Sequence, residues 1–108
     1  MPLAEAFEYY GTTRGAVPNY VNRFAIMSRE QTLQWDAQSA AYDITVPTVM
    51  VHSENALAPA LARKFFGSLA GLKEQIWLES EGQIDFYDDP NCIDSAADQL
   101  TRHFRAHL

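Results

Sequence analysis

The amino-acid sequence predicts an α/β fold in which a small, mostly parallel sheet is flanked by helices. An apolar, β-branched run at 44–52 is followed by an amphipathic stretch from Pro59 and by a second apolar run at 75–78. Strand, helix and strand in this order form a βαβ unit, because parallel strands need a crossover connection. Parallel strands are covered on both faces and read as continuous apolar runs, as Val49-Met50-Val51 does.

The length and composition predict one compact domain. The chain has 108 residues, of which 47% are hydrophobic and 20% are charged, as is typical of a globular protein. Within that domain we expect a helical segment over residues 1–43 and an α/β unit over residues 44–108.

The charge balance excludes some classes of partner. Fourteen acidic residues against eight basic ones give a formal charge of −6, which opposes binding to nucleic acids and to anionic membranes. No apolar run approaches the roughly 20 residues that cross a bilayer. The N-terminus lacks the basic and then apolar pattern of a secretory leader, so we expect a cytoplasmic location. Because Cys92 is the only cysteine, it forms no internal disulfide, and we interpret it as a small residue near the start of a helix.

The first part of the chain is predicted to be helical and then irregular. Apolar residues recur at helical spacing over residues 2–10, and Gly11 is a natural end for this helix. Residues 12–19 contain glycine and proline and are predicted to form a loop, with a turn of helix possible over residues 20–24.

A second helix is predicted from about Arg29 to Tyr42. Ser28 and Gln31 have the spacing of a capping box, in which both side chains satisfy backbone donors of the first turn. We expect Trp35, within this helix, to belong to the core.

The crossover helix and the second strand follow the first strand. Pro59 is suited to the first position of a helix, where its missing N–H costs nothing. An apolar stripe runs from Leu61 to Leu69 and Gly71 ends the helix. We expect the second strand to occupy residues 73–79, with Trp77 in the core.

The remaining residues predict an ordered loop and a long helix. Residues 80–90 are rich in turn-forming residues. The final helix spans about residues 91–107 and is capped by Asp89 or Asn91. Its expected apolar face consists of Ile93, Ala96, Ala97, Leu100 and Phe104.

Several of these segments resemble a known family. The relevant residues are Ile44-Thr-Val-Pro-Thr-Val-Met-Val-His-Ser-Glu54, Pro59, Gly82-Gln-Ile-Asp-Phe-Tyr-Asp88 and the closing amphipathic helix. Their order resembles the C-terminal third of α/β-hydrolase-fold proteins, especially the dienelactone-hydrolase-like branch. The likeness covers residues 44–108, and residues 1–42 resemble more loosely the connection and cap that precede these strands.

The resemblance implies a nucleophile, an acid and a histidine in that chain order. No Gly-x-Ser-x-Gly turn occurs, since the Gly67-to-Gly71 segment lies at a helix end. Glu54 is the one carboxylate at the acid position, as a triad acid or as an exposed loop carboxylate. Gln83 stands where the family has histidine, and an amide cannot cycle a proton. Gln83 would then hydrogen-bond a ligand or tie down its loop.

The resemblance therefore implies an ester- or lactone-type hydrolase scaffold that is not catalytic alone. The pocket-lining residues that it implies are Ser53, Asn55, Pro59, Asp85, Phe86 and Tyr87. No cofactor is implied. The expected partner is a second copy in a homo-oligomer, most simply a dimer, or a missing N-terminal hydrolase half. The alternative is a non-catalytic domain that associates with itself or binds a small molecule.

The histidines and the acidic cluster predict no metal site. His103 and His107 stand four apart on a helix, but no third ligand is in sequence reach, and charge matching at a helix C-terminus accounts for them. His52 ends the first strand and is expected to be buried and hydrogen-bonded. The acidic residues near Phe86 and Tyr87 have no EF-hand spacing.

Overall fold

The structure, a computed structural model, describes residues 4–21 and 23–108. It divides the chain into two compact units, Met1–Asp36 and Ala37–Leu108. That the chain forms one domain, with a boundary between its two segments after residue 43, remains a prediction.

Among its described residues, the first unit contains two short helices, α1 at Ala4–Gly11 and α2 at Ser28–Gln34. The prediction of a first helix that ends near Gly11 is confirmed, although residues 2 and 3 of the predicted range lie outside the described residues. After α1 the Gly15 N–H donates to the Tyr9 C=O at 3.0 Å, and the loop predicted over 12–19 is observed.

The prediction for the region around Ser28 is wrong in two respects. Met27 is the N-cap of α2 and no side chain caps this helix, so Ser28 and Gln31 form no capping box. The helix also ends at Gln34, and Trp35 is 75% exposed rather than in the core. A helix of this length is only marginally stable on its own. Because α2 buries none of its residues, no packing contact stabilises a longer helix.

A helix is not observed in the part of 20–24 that the structure describes, where residues 20, 21, 23 and 24 are irregular. Residue 22 of that predicted turn lies outside the described residues.

The second unit is built around two parallel strands. Strand β1 spans Thr48–His52 and β2 spans Lys73–Trp77, with Thr48 opposite Lys73 and His52 opposite Trp77. The crossover between them contains α4, Pro59–Ser68, which starts at the predicted proline. The prediction of a βαβ unit is therefore confirmed. Strand β1 starts at Thr48, later than the apolar run that begins at Ile44.

Short helical segments precede β1. Helix α3, Ala37–Ala40, continues into a 3₁₀ turn at Ala41–Asp43. The single helix predicted for 29–42 is thus three segments. Ala41 is fully buried and fixes the turn against the unit.

The segment after β2 differs from the predicted loop. Residues Asp85–Asp88 form one helical turn, α5, and α6 follows at Pro90–His107. The Asp89 side chain accepts from the Asn91 N–H at 3.1 Å, so the predicted N-cap is confirmed.

The buried face of α6 agrees only in part with the predicted one, since Ala96 and Leu100 are half-buried and the other predicted residues are exposed. Cys92 and His103 are buried, whereas Ile93 is 36% exposed and Phe104 is 52% exposed. The buried face is centred about one residue position away from the expected face, so Cys92 and His103 lie at its centre and Leu100 at its margin.

The core of the second unit is small. Its buried apolar residues are Ala41, Ala56, Leu69, Ile84 and Cys92. Every residue of β1 is only half-buried, although strands of a parallel sheet are normally covered on both faces. Among the described residues, no helix is both long enough and apolar enough to cross a membrane.

Candidate functional site

The loops that follow β1 and β2 meet at the carboxyl ends of the two strands. The Ser53 and Ser80 hydroxyls share a hydrogen bond of 2.6 Å. Asn55 Nδ2 donates to the Ser80 C=O at 2.8 Å, and Gln83 Oε1 accepts from the Leu57 N–H at 2.9 Å. Parallel strands bring their carboxyl ends to one edge, which is where α/β sheets place ligand sites.

A cleft of about 890 Å³ lies at this edge. Its lining residues are Glu54, Asn55, Trp77, Leu78, Glu79, Ser80, Glu81, Asp85 and Asp89. Five of them carry carboxylates, so the cleft has a negative electrostatic potential and disfavours anionic ligands.

Two of the cleft carboxylates have local structural roles. Asp85 Oδ2 accepts from the Glu81 N–H at 2.6 Å and from the Gly82 N–H at 3.4 Å, which closes the turn before α5. Asp89 caps α6. Within the described residues no three acidic, histidine or cysteine side chains are grouped to hold a metal ion.

Trp77 lines the cleft and is in contact with an aromatic and a cationic side chain. The His52 ring stacks on the indole with centroids 5.0 Å apart, and the Arg63 guanidinium lies 4.2 Å from the indole centroid. Arg63 also forms an ion pair with Glu54, and one of its N–H groups donates to Glu54 Oε2 at 3.2 Å. His52 Nδ1 donates to the Ser53 C=O at 2.8 Å. Trp77 is therefore half-buried at the cleft rather than in the core.

Ser53 is not placed to act as a nucleophile. It is 1% exposed, and besides Ser80 its hydroxyl accepts from the Ala56 N–H at 3.0 Å. A serine hydroxyl attacks a carbonyl only when a base removes its proton and the substrate can reach it. In the described part of the chain, the hydrogen-bond partners of this hydroxyl include no base.

Of the other residues that the resemblance implies, some line the cleft and the rest lie in the neighbouring helices α4 and α5. Glu54, Asn55 and Asp85 line the cleft. Pro59 is the first residue of α4. Phe86 and Tyr87 lie in α5.

Gln83 links the two loops through a hydrogen bond. Its side-chain oxygen accepts a hydrogen bond from the Leu57 N–H. This bond satisfies a backbone donor of the first loop. The loop-tying role for Gln83 is therefore observed.

No family model, curated protein or solved structure matches this chain. The kinship with α/β hydrolases stays a prediction.

The cleft also contains residues that are not among those implied by the resemblance. Glu79, Ser80 and Glu81 line it because they directly follow β2, which is where the sequence of an α/β sheet predicts a ligand site. Arg63 lies on α4, one turn after Pro59, and its stacking on Trp77 has no sequence signature.

Cys92 lies buried in the first turns of α6. Burial raises the pKa of its thiol, and the nearby negative charges of Asp85 and Asp89 raise it further. The thiol is therefore protonated and unreactive at neutral pH.

The histidines of α6 lie at the opposite end of the strands. His103 is buried, and its Nε2 donates to the Pro47 C=O at 3.3 Å. The His107 ring is 4.6 Å from that of His103. His103 thus packs the end of α6 onto the chain just before β1.

Proposed function

We propose that residues 44–108 form one wall of an α/β-hydrolase-type cleft and have no catalytic activity of their own. The observation that supports this most is the bond from the Leu57 N–H to Gln83 Oε1. In the family that the chain resembles, the loops after these two strands carry the triad acid and the histidine. Here the same two loops meet, but an amide replaces the base.

The chemistry of the loops supports a structural role. Gln83 holds a backbone donor and cannot take a proton near neutral pH. Glu54 forms an ion pair with Arg63 of α4. Ser53 and Ser80 bond to each other. These groups stabilise the two loops, and the residues that would attack a substrate would come from another wall.

Hydrolysis of p-nitrophenyl acetate and p-nitrophenyl butyrate by the purified chain tests this proposal. We expect the wild-type rate to equal that of the Gln83→Ala and Ser80→Ala variants, since none of the three has an activated nucleophile. A fluorophosphonate probe, which labels activated serines, should leave Ser53 and Ser80 unmodified. Wild-type turnover that either substitution abolishes, or labelling of either serine, contradicts the proposal.

A second candidate function is self-association without catalysis. The exposure of the apolar residues Ile93 and Phe104 of α6 favours it, as does the incomplete burial of β1. Exposed apolar surface next to an open sheet edge favours pairing with another chain. Sedimentation velocity at micromolar concentration would detect the resulting dimer.

A further inference from the structure

One edge of β1 has unpaired backbone groups. The Thr48 N–H donates to the Leu72 C=O at 2.9 Å, and this bond with the strand register turns the even-numbered residues of β1 toward β2. The N–H and C=O groups of Val49 and Val51 therefore point away from β2. In the described part of the chain no backbone group pairs with them.

This edge lacks the features that normally prevent strand pairing. Strand β1 contains no Asp, Glu, Lys or Arg and no proline, whereas β2 carries Lys73 and Glu74. Charged residues, and lysine above all, protect the edges of natural sheets. The β1 edge is therefore the better template for another strand.

Helix α6 runs along β1 in the opposite direction. Its start is near the cleft at the carboxyl end of the strands, which Asp89 lines. Its end is near the beginning of β1, where His103 bonds to the Pro47 C=O. The helix thus follows the whole length of the strand.

The exposed apolar residues of α6 lie on the side of the unpaired edge. Arg102 Nη2 donates to Glu74 Oε1 at 2.9 Å, so the Arg102 side of α6 is the β2 side. The α6 stripe is defined here as exposed Ile93, Ala97 and Phe104 together with half-buried Leu100. Its centre lies roughly 170° around the helix axis from Arg102. The α6 stripe therefore lies beside the free edge of β1 and continues its surface.

We propose that the free edge of β1 and the α6 stripe bind a second copy of this chain about a two-fold axis. The two sheets then join in the order β2–β1–β1–β2, with the α6 helices antiparallel on one face. This inference rests on the second proposed function, self-association, and assigns a surface to it. A two-fold interface uses the same surface on both copies, so that surface must be self-complementary.

The charges of α6 supply that complementarity. Its first half carries Asp94 and its second half carries Arg105, whereas Arg102 is bonded to Glu74 on the β2 side. Antiparallel packing that places Ile93 against Phe104 of the second copy also brings Asp94 near Arg105 of the second copy. Opposite charges then meet at the rim of the apolar contact.

The backbone fixes the register of the new strand pair. Antiparallel pairing centred on Met50 places Val49 opposite Val51 of the second copy, and all their outward N–H and C=O groups become bonded. Met50 then faces its own copy in a non-hydrogen-bonded pair, where Cα atoms are about 4.5 Å apart. Such a separation fits a disulfide, which needs about 4.4–6.8 Å.

Disulfide cross-linking tests the register. A Met50→Cys variant that also carries Cys92→Ala should form a disulfide-linked dimer on mild oxidation, seen on a non-reducing gel and reversed by dithiothreitol. Gln75→Cys in the same background is the matched control, because Gln75 is the register partner of Met50 on β2. We expect the control to remain monomeric on the gel.

A proline substitution tests the edge without a cysteine. The Val51 N–H points away from β2, so Val51→Pro removes a donor of the proposed interface and leaves the β1–β2 ladder intact. We expect the dimer dissociation constant from sedimentation to rise at least about tenfold. Gln75→Pro removes an outward N–H of β2 instead and should leave the dimer unchanged. Circular dichroism establishes that both variants are folded.

The outcomes separate the surface from self-association itself. A wild-type chain that sediments as a monomer at about 100 μM overturns both the surface and the second proposed function. A wild-type dimer that the Met50→Cys variant fails to cross-link, or that Gln75→Cys cross-links instead, overturns the surface alone. The wild-type and cross-linking results do not depend on whether Val51→Pro folds.

Discussion

The stability of the fold depends on the protonation state of the Cys92 thiol. Its pKa is raised above the ordinary 9.0 by burial and by Asp85 and Asp89. Well below pH 9.0 the thiol is protonated in both the folded and the unfolded chain, and the stability linked to its raised pKa is fully present. At higher pH the unfolded chain releases the proton first, so this stability is lost as the pH rises through the folded pKa.

We therefore expect the wild-type chain to lose stability relative to Cys92→Ala between about pH 8 and about pH 10. Urea denaturation at each pH gives the difference between their free energies of unfolding. Lysine and tyrosine titrations are common to both chains and cancel in this difference. A difference that is constant with pH would contradict the raised pKa.

Individual residues show where sequence reasoning succeeded and where it failed. Pro59 and Asp89 were predicted correctly as helix starters, because both act through local backbone chemistry. Trp35 was predicted in the core and is exposed. Its position depends on which elements pack over it, and no local pattern encodes that.

At the scale of elements, Gly71 connects α4 to β2 through a close backbone approach. Its N–H donates to the Ile44 C=O at 3.0 Å. A Cβ at this position would contact the Thr45 C=O and lie 2.9 Å from the Val46 O. Both are backbone groups that cannot rotate away as a side chain can.

Gly71→Ala should therefore lower the free energy of unfolding, by about 1–3 kcal/mol. Gly67→Ala is the matched control, since Gly67 lies in α4 and no atom is within 4 Å of its added Cβ among the described residues. That variant should be unchanged or more stable by up to about 1 kcal/mol, because alanine favours the helix. Chemical denaturation measures both. Equal effects at the two positions would contradict the steric explanation.

Helix α6 shows the limit of periodicity. Its start, its length and its N-cap could be predicted from the sequence. The centre of its buried face, at Cys92 and His103, could not. Apolar residues occur over more than one side of the helix, and the sheet meets the side that holds Cys92 and His103. The Pro47 C=O accepts from His103, and this contact between distant residues has no trace in the local pattern.

At the scale of the whole molecule, the βαβ unit and the meeting of its two loops were predictable. Both follow from the rule that parallel strands need a crossover and end at one edge. The coverage of the sheet was not predictable, because it depends on which surfaces are present to bury β1. The half-buried strand is the consequence.

Incomplete coverage also predicts how the chain responds to its own concentration. If the free edge of β1 binds a second copy, association stabilises the folded state by mass action. A tenfold increase in protein concentration should then raise the Tm of the wild-type chain by about 2–5 °C. The Tm of the Val51→Pro variant should depend less on concentration over the same range, because the loss of the Val51 N–H weakens the pairing of the two copies. Calorimetry at two concentrations of each chain distinguishes the cases. A wild-type Tm that does not change with concentration would mean that β1 remains an open edge in solution.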